Sequence, residues 1–118
     1  MSDAHALGKS GEEAAIAYLK KKKFKVIQQG FRFRRGEIDI IAYDKDTLVF
    51  IEVKTRQSLE FGLPEESVTP LKQQQIRRLA EAYLAMNNLH HLPCRFDILS
   101  LFYSEKDGYQ IHHLQDAF

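Results

Sequence analysis

The chain has 118 residues, of which 44% are hydrophobic and 28% charged. That balance excludes a disordered or fibrous protein and predicts a single domain over residues 1–118 with one core. A net charge of +1 excludes a strong global pull toward polyanions, and the lone Cys94 excludes an intrachain disulfide. No stretch has the length of a membrane span, and the start Met1-Ser2-Asp3-Ala4-His5 lacks the apolar stretch of a secretory leader. These features predict a cytoplasmic protein with no membrane contact.

The first helix is expected from about Ala6 to Lys22, where Leu7, Ala14, Ala15, Tyr18 and Leu19 recur on one face. Gly8 and Gly11 sit one turn apart near its start, next to Glu12. Glycine costs helix stability, so the pair predicts close approach of another backbone. Lys20 to Lys23 read as a basic helix end complementing the helix dipole. A strand is predicted over Phe24–Phe33, broken near Gln28-Gln29-Gly30, where Gly30 marks a bulge. From Lys20 to Arg35 there are eight basic residues and no acid, and the acids Glu37 and Asp39 follow directly. Arg32, Arg34 and Arg35, leading into those acids, suit a polyanion approached through a metal.

Two strands follow, Glu37–Tyr43 and Leu48–Thr55, rich in Ile, Val and Phe and separated by the polar turn Asp44-Lys45-Asp46-Thr47. Thr69-Pro70 starts a second helix, with Thr as cap and Pro in the first turn; it ends near Asn87-Asn88. Ile76, Leu79, Ala80, Tyr83 and Leu84 form its apolar stripe. Strands over Arg95–Tyr103 and Tyr109–Leu114 close the chain. The order α-β-β-β-α-β-β defines an α/β protein with one sheet covered by helices.

The chemistry concentrates on the central hairpin. Alternate strand residues share a face, so Glu37 and Asp39 are expected opposite Ile38 and Ile40. Leu48, Phe50, Glu52 and Lys54 are likewise expected opposite Val49, Ile51 and Val53, with the second face packed on the core. A loop of Lys45-Asp46 pairs Tyr43 with Leu48 and sets Asp39 against Glu52; a four-residue loop gives the same register. Directly opposed residues have Cβ atoms about 4.5–5.5 Å apart, and two carboxylates so placed repel. A hard cation such as Mg²⁺ removes that repulsion. Lys54 lies about 7 Å further along the strand, on the same face. Its ammonium can orient an attacking water and stabilise charge developing on phosphorus. Asp39, Glu52 and Lys54 together supply what phosphodiester hydrolysis requires.

Gly36-Glu37-Ile38-Asp39, followed twelve residues later by Glu52-Val53-Lys54, resembles the split acid–lysine motif of restriction-endonuclease-like nucleases, a superfamily that includes archaeal Holliday-junction resolvases. The whole chain is similar to the YraN family of small bacterial proteins. Gly8-Lys9-Ser10-Gly11-Glu12, Phe31 to Asp39, Phe50 to Arg56, Phe61-Gly62, Lys72 and Arg95-Phe96-Asp97 carry that likeness. Ile38 departs from the superfamily pattern, in which a proline often precedes the first acid. The resemblance implies a three-layer α/β/α restriction-endonuclease-like fold with a central mixed sheet. It also implies that Glu12 adds an acid near the metal and that Lys72 faces the phosphate.

The expected activity is Mg²⁺-dependent cleavage of nucleic acid, DNA rather than RNA, in a branched form, with Mn²⁺ able to replace Mg²⁺. Asp39 and Glu52 bind the metal, Lys54 and Glu12 assist, and Arg32, Arg34, Arg56 and Lys72 hold phosphates. A symmetrical two-strand cut favours a homodimer. The alternatives are a nucleic-acid-binding module that cleaves poorly and an adaptor for repair or recombination machinery. His90-His91 and His112-His113 lack zinc-ligand spacing. Cys94 reads as a small buried residue, and Arg77-Arg78 as a solvated helix surface ahead of an extension of a phosphate-binding face. Asp97 reads either as a satisfied buried acid or as support for the metal site.

Overall fold

The structure, a computed structural model, describes residues 4–57 and 63–118; the expected Phe61-Gly62 motif and the side chains of Leu7 and Lys9 lie outside the described residues. The elements are α1 (Ala4–Lys21), β1 (Lys25–Phe33), β2 (Gly36–Asp44), β3 (Thr47–Arg56), a 3-10 turn (Pro64–Ser67), α2 (Pro70–Asn87), β4 (Cys94–Ser104) and β5 (Gly108–Leu114). The expected helices and strands are all present, with ends moved by one or two residues; the 3-10 turn is additional. The five strands form one sheet in the order β1-β2-β3-β4-β5. Every neighbouring pair is antiparallel except β3 and β4, which run parallel because α2 carries the chain back across the sheet. No helix among the described residues is long and apolar enough to cross a membrane.

Local signals account for the boundaries. The Thr69 hydroxyl accepts from the Lys72 amide and Pro70 opens α2, while Asn88 ends it in the left-handed conformation. The β2–β3 turn closes with Tyr43 opposite Leu48 and Asp44 opposite Thr47, with Lys45 at positive φ. That is the register anticipated from the hairpin.

Two apolar layers flank the sheet. On one side Ala15 and Leu19 of α1 pack with Ile40, Ala42, Val49, Ile51, Leu99 and Leu101. On the other, the α2 stripe Ile76, Leu79, Ala80, Tyr83 and Leu84 packs with Ile41, Leu48, Phe50 and Ile98. The result is a three-layer α/β/α arrangement. The expectation of one packed face is therefore corrected: β3 is covered on both sides, as a parallel pairing under a crossover helix requires.

Three further expectations change. Ile38 joins the α2 layer and Ile40 the α1 layer, so they do not share a face. The alternation breaks at Asp39, across from Gly30 of β1, which has a φ of +63° while the β1–β2 register stays regular on either side of it. β1 is continuous, and its register slips earlier, between Val26 and Gln28. Cys94 is exposed, not buried, because it heads β4 just beyond Pro93, at the rim of the sheet.

Asp97 is a satisfied buried acid. Its oxygens accept from Arg95 Nε (2.8 Å) and a second Arg95 nitrogen (3.0 Å), pair with His113 Nε2 (2.7 Å), and accept from the Asp116 amide (3.0 Å). Arg95 also reaches Asp44 at 2.9 Å. Asp97 belongs with Leu99 and Leu101 on the α1 side, away from the face of Glu52. Burial alone would raise its pKa, but the bonds from His113, Arg95 and the Asp116 amide hold it below the ordinary carboxylate range. The folded state thus favours the carboxylate more than the unfolded chain does. This stabilisation is complete above the ordinary carboxylate pKa and disappears as pH falls through the lower folded value. Asp97→Ala should cost about 3–5 kcal/mol in urea unfolding, since it leaves Arg95 with Asp44 alone and strips His113 and the Asp116 amide of their buried acceptor. The stability gap to Asp97→Asn should narrow on acidification from about pH 5 to pH 2; a gap independent of pH would contradict this account.

Candidate metal and phosphate centre

Asp39 lies where β2 changes face, and its Oδ2 accepts the Val53 amide at 2.8 Å. Ladder pairing of β2 with β3 runs from Asp44–Thr47 to Ile40–Ile51, so the next pair in register is Asp39 with Glu52. Instead of continuing the ladder, the Asp39 side chain takes over a backbone donor of β3. Glu52 is 2% exposed, on the strand face that carries Leu48 and Phe50, and its Oε1 is buried without a hydrogen-bond partner. Among the described residues it is the one buried side-chain oxygen or nitrogen so left. An orphaned buried acceptor costs about 1–3 kcal/mol and calls for an explanation.

The electrostatics agree with the geometry. Burial, then the Asp39 charge, raises the Glu52 pKa to about 7, against the opposing pull of Lys72 and Lys54. Asp39 is also raised, chiefly by burial, while the Val53 amide and the Lys54 and Lys72 charges act the other way. Lys54 reaches the pair from the same strand face and Lys72 from the first turn of α2. Glu12, exposed on α1, is raised by burial and then by Asp39 and Glu37. It approaches the centre from the α1 side. Gly11 lets it do so: a Cβ there would lie 2.4 Å from Thr55 Oγ1, so only glycine permits α1 to meet β3 this closely. A close approach is thus present at Gly11, but to the Thr55 side chain and not, as expected from the glycine pair, to another backbone.

The structure brings together Asp39, Glu52, Lys54 and Lys72, with Glu12 alongside. Arg32 is exposed and paired with Glu37 at 2.8 Å. Arg34 sits in the β1–β2 turn over the Phe33 ring, 5.4 Å from its centroid. Arg56 ends β3 and donates to the Thr55 carbonyl at 3.1 Å. These three arginines lie at the margins of the centre, and no recorded contact joins them to the acids. Sequence reasoning left Glu37 out of the site, although its place two residues before Asp39 was the available signal. It also missed Glu65, whose Oε1 accepts from buried Ser100 at 2.8 Å, beside Lys54 in the β3–β4 pairing. No motif marks that contact.

The residues fit a divalent cation. They offer the free Glu52 oxygen and the second Asp39 oxygen, both hard donors, in a position where two carboxylates otherwise repel. Among the described residues, no group of three or more His, Cys, Asp or Glu is placed to enclose an ion. Two carboxylates with water and a substrate phosphate are the usual Mg²⁺ complement, unlike the closed cage of a structural site.

Fold and site together define an α/β/α protein with a carboxylate pair and two lysines at one end of a mixed sheet. The chain belongs to the uncharacterised protein family UPF0102, whose model matches residues 11–101. It is 46% identical to a UPF0102 protein of Chlorobium phaeobacteroides, over 99% of this chain and 96% of that relative. It is 43% identical to one from Geotalea uraniireducens (99% and 92%) and 42% identical to one from Geobacter sulfurreducens (95% and 88%).

Without metal, folded Glu52 keeps its proton to about pH 7, whereas the unfolded chain releases it near 4.5. This group therefore supports the fold below the unfolded value, and the support is lost as pH rises through the folded one; the shift corresponds to roughly 3 kcal/mol at most. Glu52→Gln should raise the melting temperature of EDTA-treated protein by several degrees at pH 8 and by much less at pH 5. Thermal denaturation at the two pH values checks this, and a lowered melting temperature at pH 8 contradicts it.

Proposed function

We propose that this chain is a Mg²⁺-dependent nuclease that hydrolyses phosphodiester bonds in nucleic acid, with branched DNA as the favoured substrate. The observation that carries the reading is the orphaned buried oxygen of Glu52, a residue that the hairpin register sets against Asp39, with Lys54 two residues further along the same strand face. The likeness of this acid–lysine spacing to restriction-endonuclease-like nucleases supports it.

Asp39 and Glu52 would hold the cation, which when bound polarises phosphoryl oxygens and acidifies water. The protein's own contribution is positioning and charge. The Val53 amide holds the Asp39 carboxylate in place through its Oδ2. Burial of Glu52 lowers the local dielectric, which strengthens each charge interaction at the reacting phosphate. Lys54 stands beside the acids to orient the attacking water and offset the growing negative charge on phosphorus. Lys72, at the head of α2, neutralises a neighbouring phosphate, aided by the positive helix end. Glu12 supplies a further acid from the α1 side. Mn²⁺, which accepts the same oxygen donors, replaces Mg²⁺.

Incubation with a four-way junction, a flap and a single strand in Mg²⁺ or Mn²⁺ should yield cleaved product. EDTA, Asp39→Asn or Glu52→Gln should abolish it, and Lys54→Ala should slow it by about 100-fold or more. Gel analysis of end-labelled substrates reads the result. Product that persists in the double variant Asp39→Asn/Glu52→Gln would rule out this centre as the source of cleavage.

A further inference from the structure

A second feature adjoins the acid pair. Between the β1–β2 turn and the outer side of α2 lies a half-open groove of about 530 Å³. Its floor is apolar: half-buried Phe33, with Ile76 and Leu79 of the α2 layer. Its rim is basic, with Arg34 and Arg35 on the turn and Lys72 and Arg78 on α2. Gln75, between those two helix residues, adds an amide that donates and accepts. Among the described lining residues the one acid, Glu37, already pairs with Arg32.

The groove is firmly formed. A Cβ on Gly36 would lie 2.7 Å from Leu79 Cδ1, so the turn is pressed directly on α2. The Arg32–Glu37 pair ties the hairpin ends together beside it. Arg34, with φ of +57°, holds its guanidinium over the Phe33 ring, so a base reaches that ring by displacing the guanidinium, which is itself a flat cation able to stack on the base. At the other end Lys72 belongs both to this rim and to the centre, where it acts on Asp39 and Glu52.

An aromatic and aliphatic floor under a basic rim is complementary to a planar base flanked by phosphates. The volume falls within the roughly 300–1,000 Å³ range of small-ligand pockets, with room for one nucleotide. A base within a continuous duplex is stacked on both sides and cannot enter; an unpaired one can. We infer that this groove receives an unpaired nucleotide next to the phosphate bound at the acid pair, so that the substrate class is nucleic acid with a single-stranded segment at the cleavage position. Phe33 and Leu79 take the base, and Arg35 and Arg78 take the phosphates beside it. The inference rests on the nuclease reading for its scissile phosphate, while the groove itself can be tested without cleavage.

The test is fluorescence anisotropy in EDTA at fixed low salt, with a labelled 12-nucleotide single strand, its blunt duplex, and the duplex carrying a single-stranded flap. The single strand and the flap should bind at least about tenfold more tightly than the blunt duplex. Phe33→Leu, which keeps an apolar side chain but removes the ring, should weaken single-strand binding about fivefold or more, the least that loss of one base–aromatic contact produces. Arg78→Ala, on the exposed helix surface, should do likewise, and Phe33→Leu should leave duplex binding nearly unchanged. Equal affinity for single strand and duplex would overturn the inference. So would single-strand binding indifferent to both variants, or equal competition by poly-glutamate, which marks a general polyanion or acidic-peptide surface. Selective binding without Mg²⁺-dependent cleavage would sustain the groove and refute the nuclease; cleavage without selective binding would do the reverse.

Discussion

The arrangement of this protein turns on one buried carboxylate that its own fold does not satisfy. Glu52 sits in the middle strand, covered on the α2 side by the same layer that covers Leu48 and Phe50, and one of its oxygens has no donor. Burial and the neighbouring Asp39 hold it near neutrality in the absence of an ion. The surroundings limit the cost without removing it. The Val53 amide stabilises Asp39, and Lys54 and Lys72 supply charge from the strand and from the helix start. Both lysines remain uncommitted to either acid as hydrogen-bond partners, so the free oxygen stays available.

Much of this was legible because β-strands repeat every two residues. Once the polar turn at Asp44–Thr47 is accepted, the opposition of Asp39 and Glu52 follows from counting, and the observed pairing of Tyr43 with Leu48 agrees. The helix caps were legible for a similar local reason: Thr69 before Pro70 and Asn88 at the end of α2 act on backbone groups within a few residues. The face of each residue was less so. Alternation holds only while the strand is regular, and it fails between Ile38 and Ile40, which enter opposite layers. The two-sided core was hidden too. Alternating apolar and charged residues in β3 suggest one wet face, yet the parallel pairing with β4 places α2 over it. The long-range partners of Asp97 lie beyond periodicity altogether, since His113 and the Asp116 amide arrive from β5 and the segment after it.

The two buried acids of the sheet illustrate opposite solutions to one problem. Asp97 and Glu52 occupy adjacent strands on opposite faces, and both are removed from water. Asp97 is given two nitrogens of Arg95, a histidine nitrogen and a backbone amide, and its pKa falls. Glu52 faces a second acid and its pKa rises. An acid whose hydrogen bonds are complete serves the fold, because any change of partner costs stability. An acid kept short of partners in a rigid setting is destabilising by itself, and such strain persists where a ligand completes the site. The same sheet thus separates support from chemistry by how many donors it aims at each carboxylate.

The first turn of α2 joins the acid pair to the basic groove. Lys72 is placed by the Thr69 cap, three residues before it, and lies between the acids and the basic groove. The turn Arg34-Arg35-Gly36 is set against the same helix by contact with Leu79, where a glycine is needed for lack of space. The groove and the acid pair are therefore two parts of one rigid contact between the β1–β2–β3 meander and α2, not separate sites that must be brought together. A polyanion lying along the groove would carry a phosphate to Lys72 and so to the acids, with no movement of either element required. On the proposed reading, a net charge of +1 is no obstacle to a polyanion: attraction would depend on the field at the groove, which Debye screening confines to about 10 Å, and not on the sum over the surface.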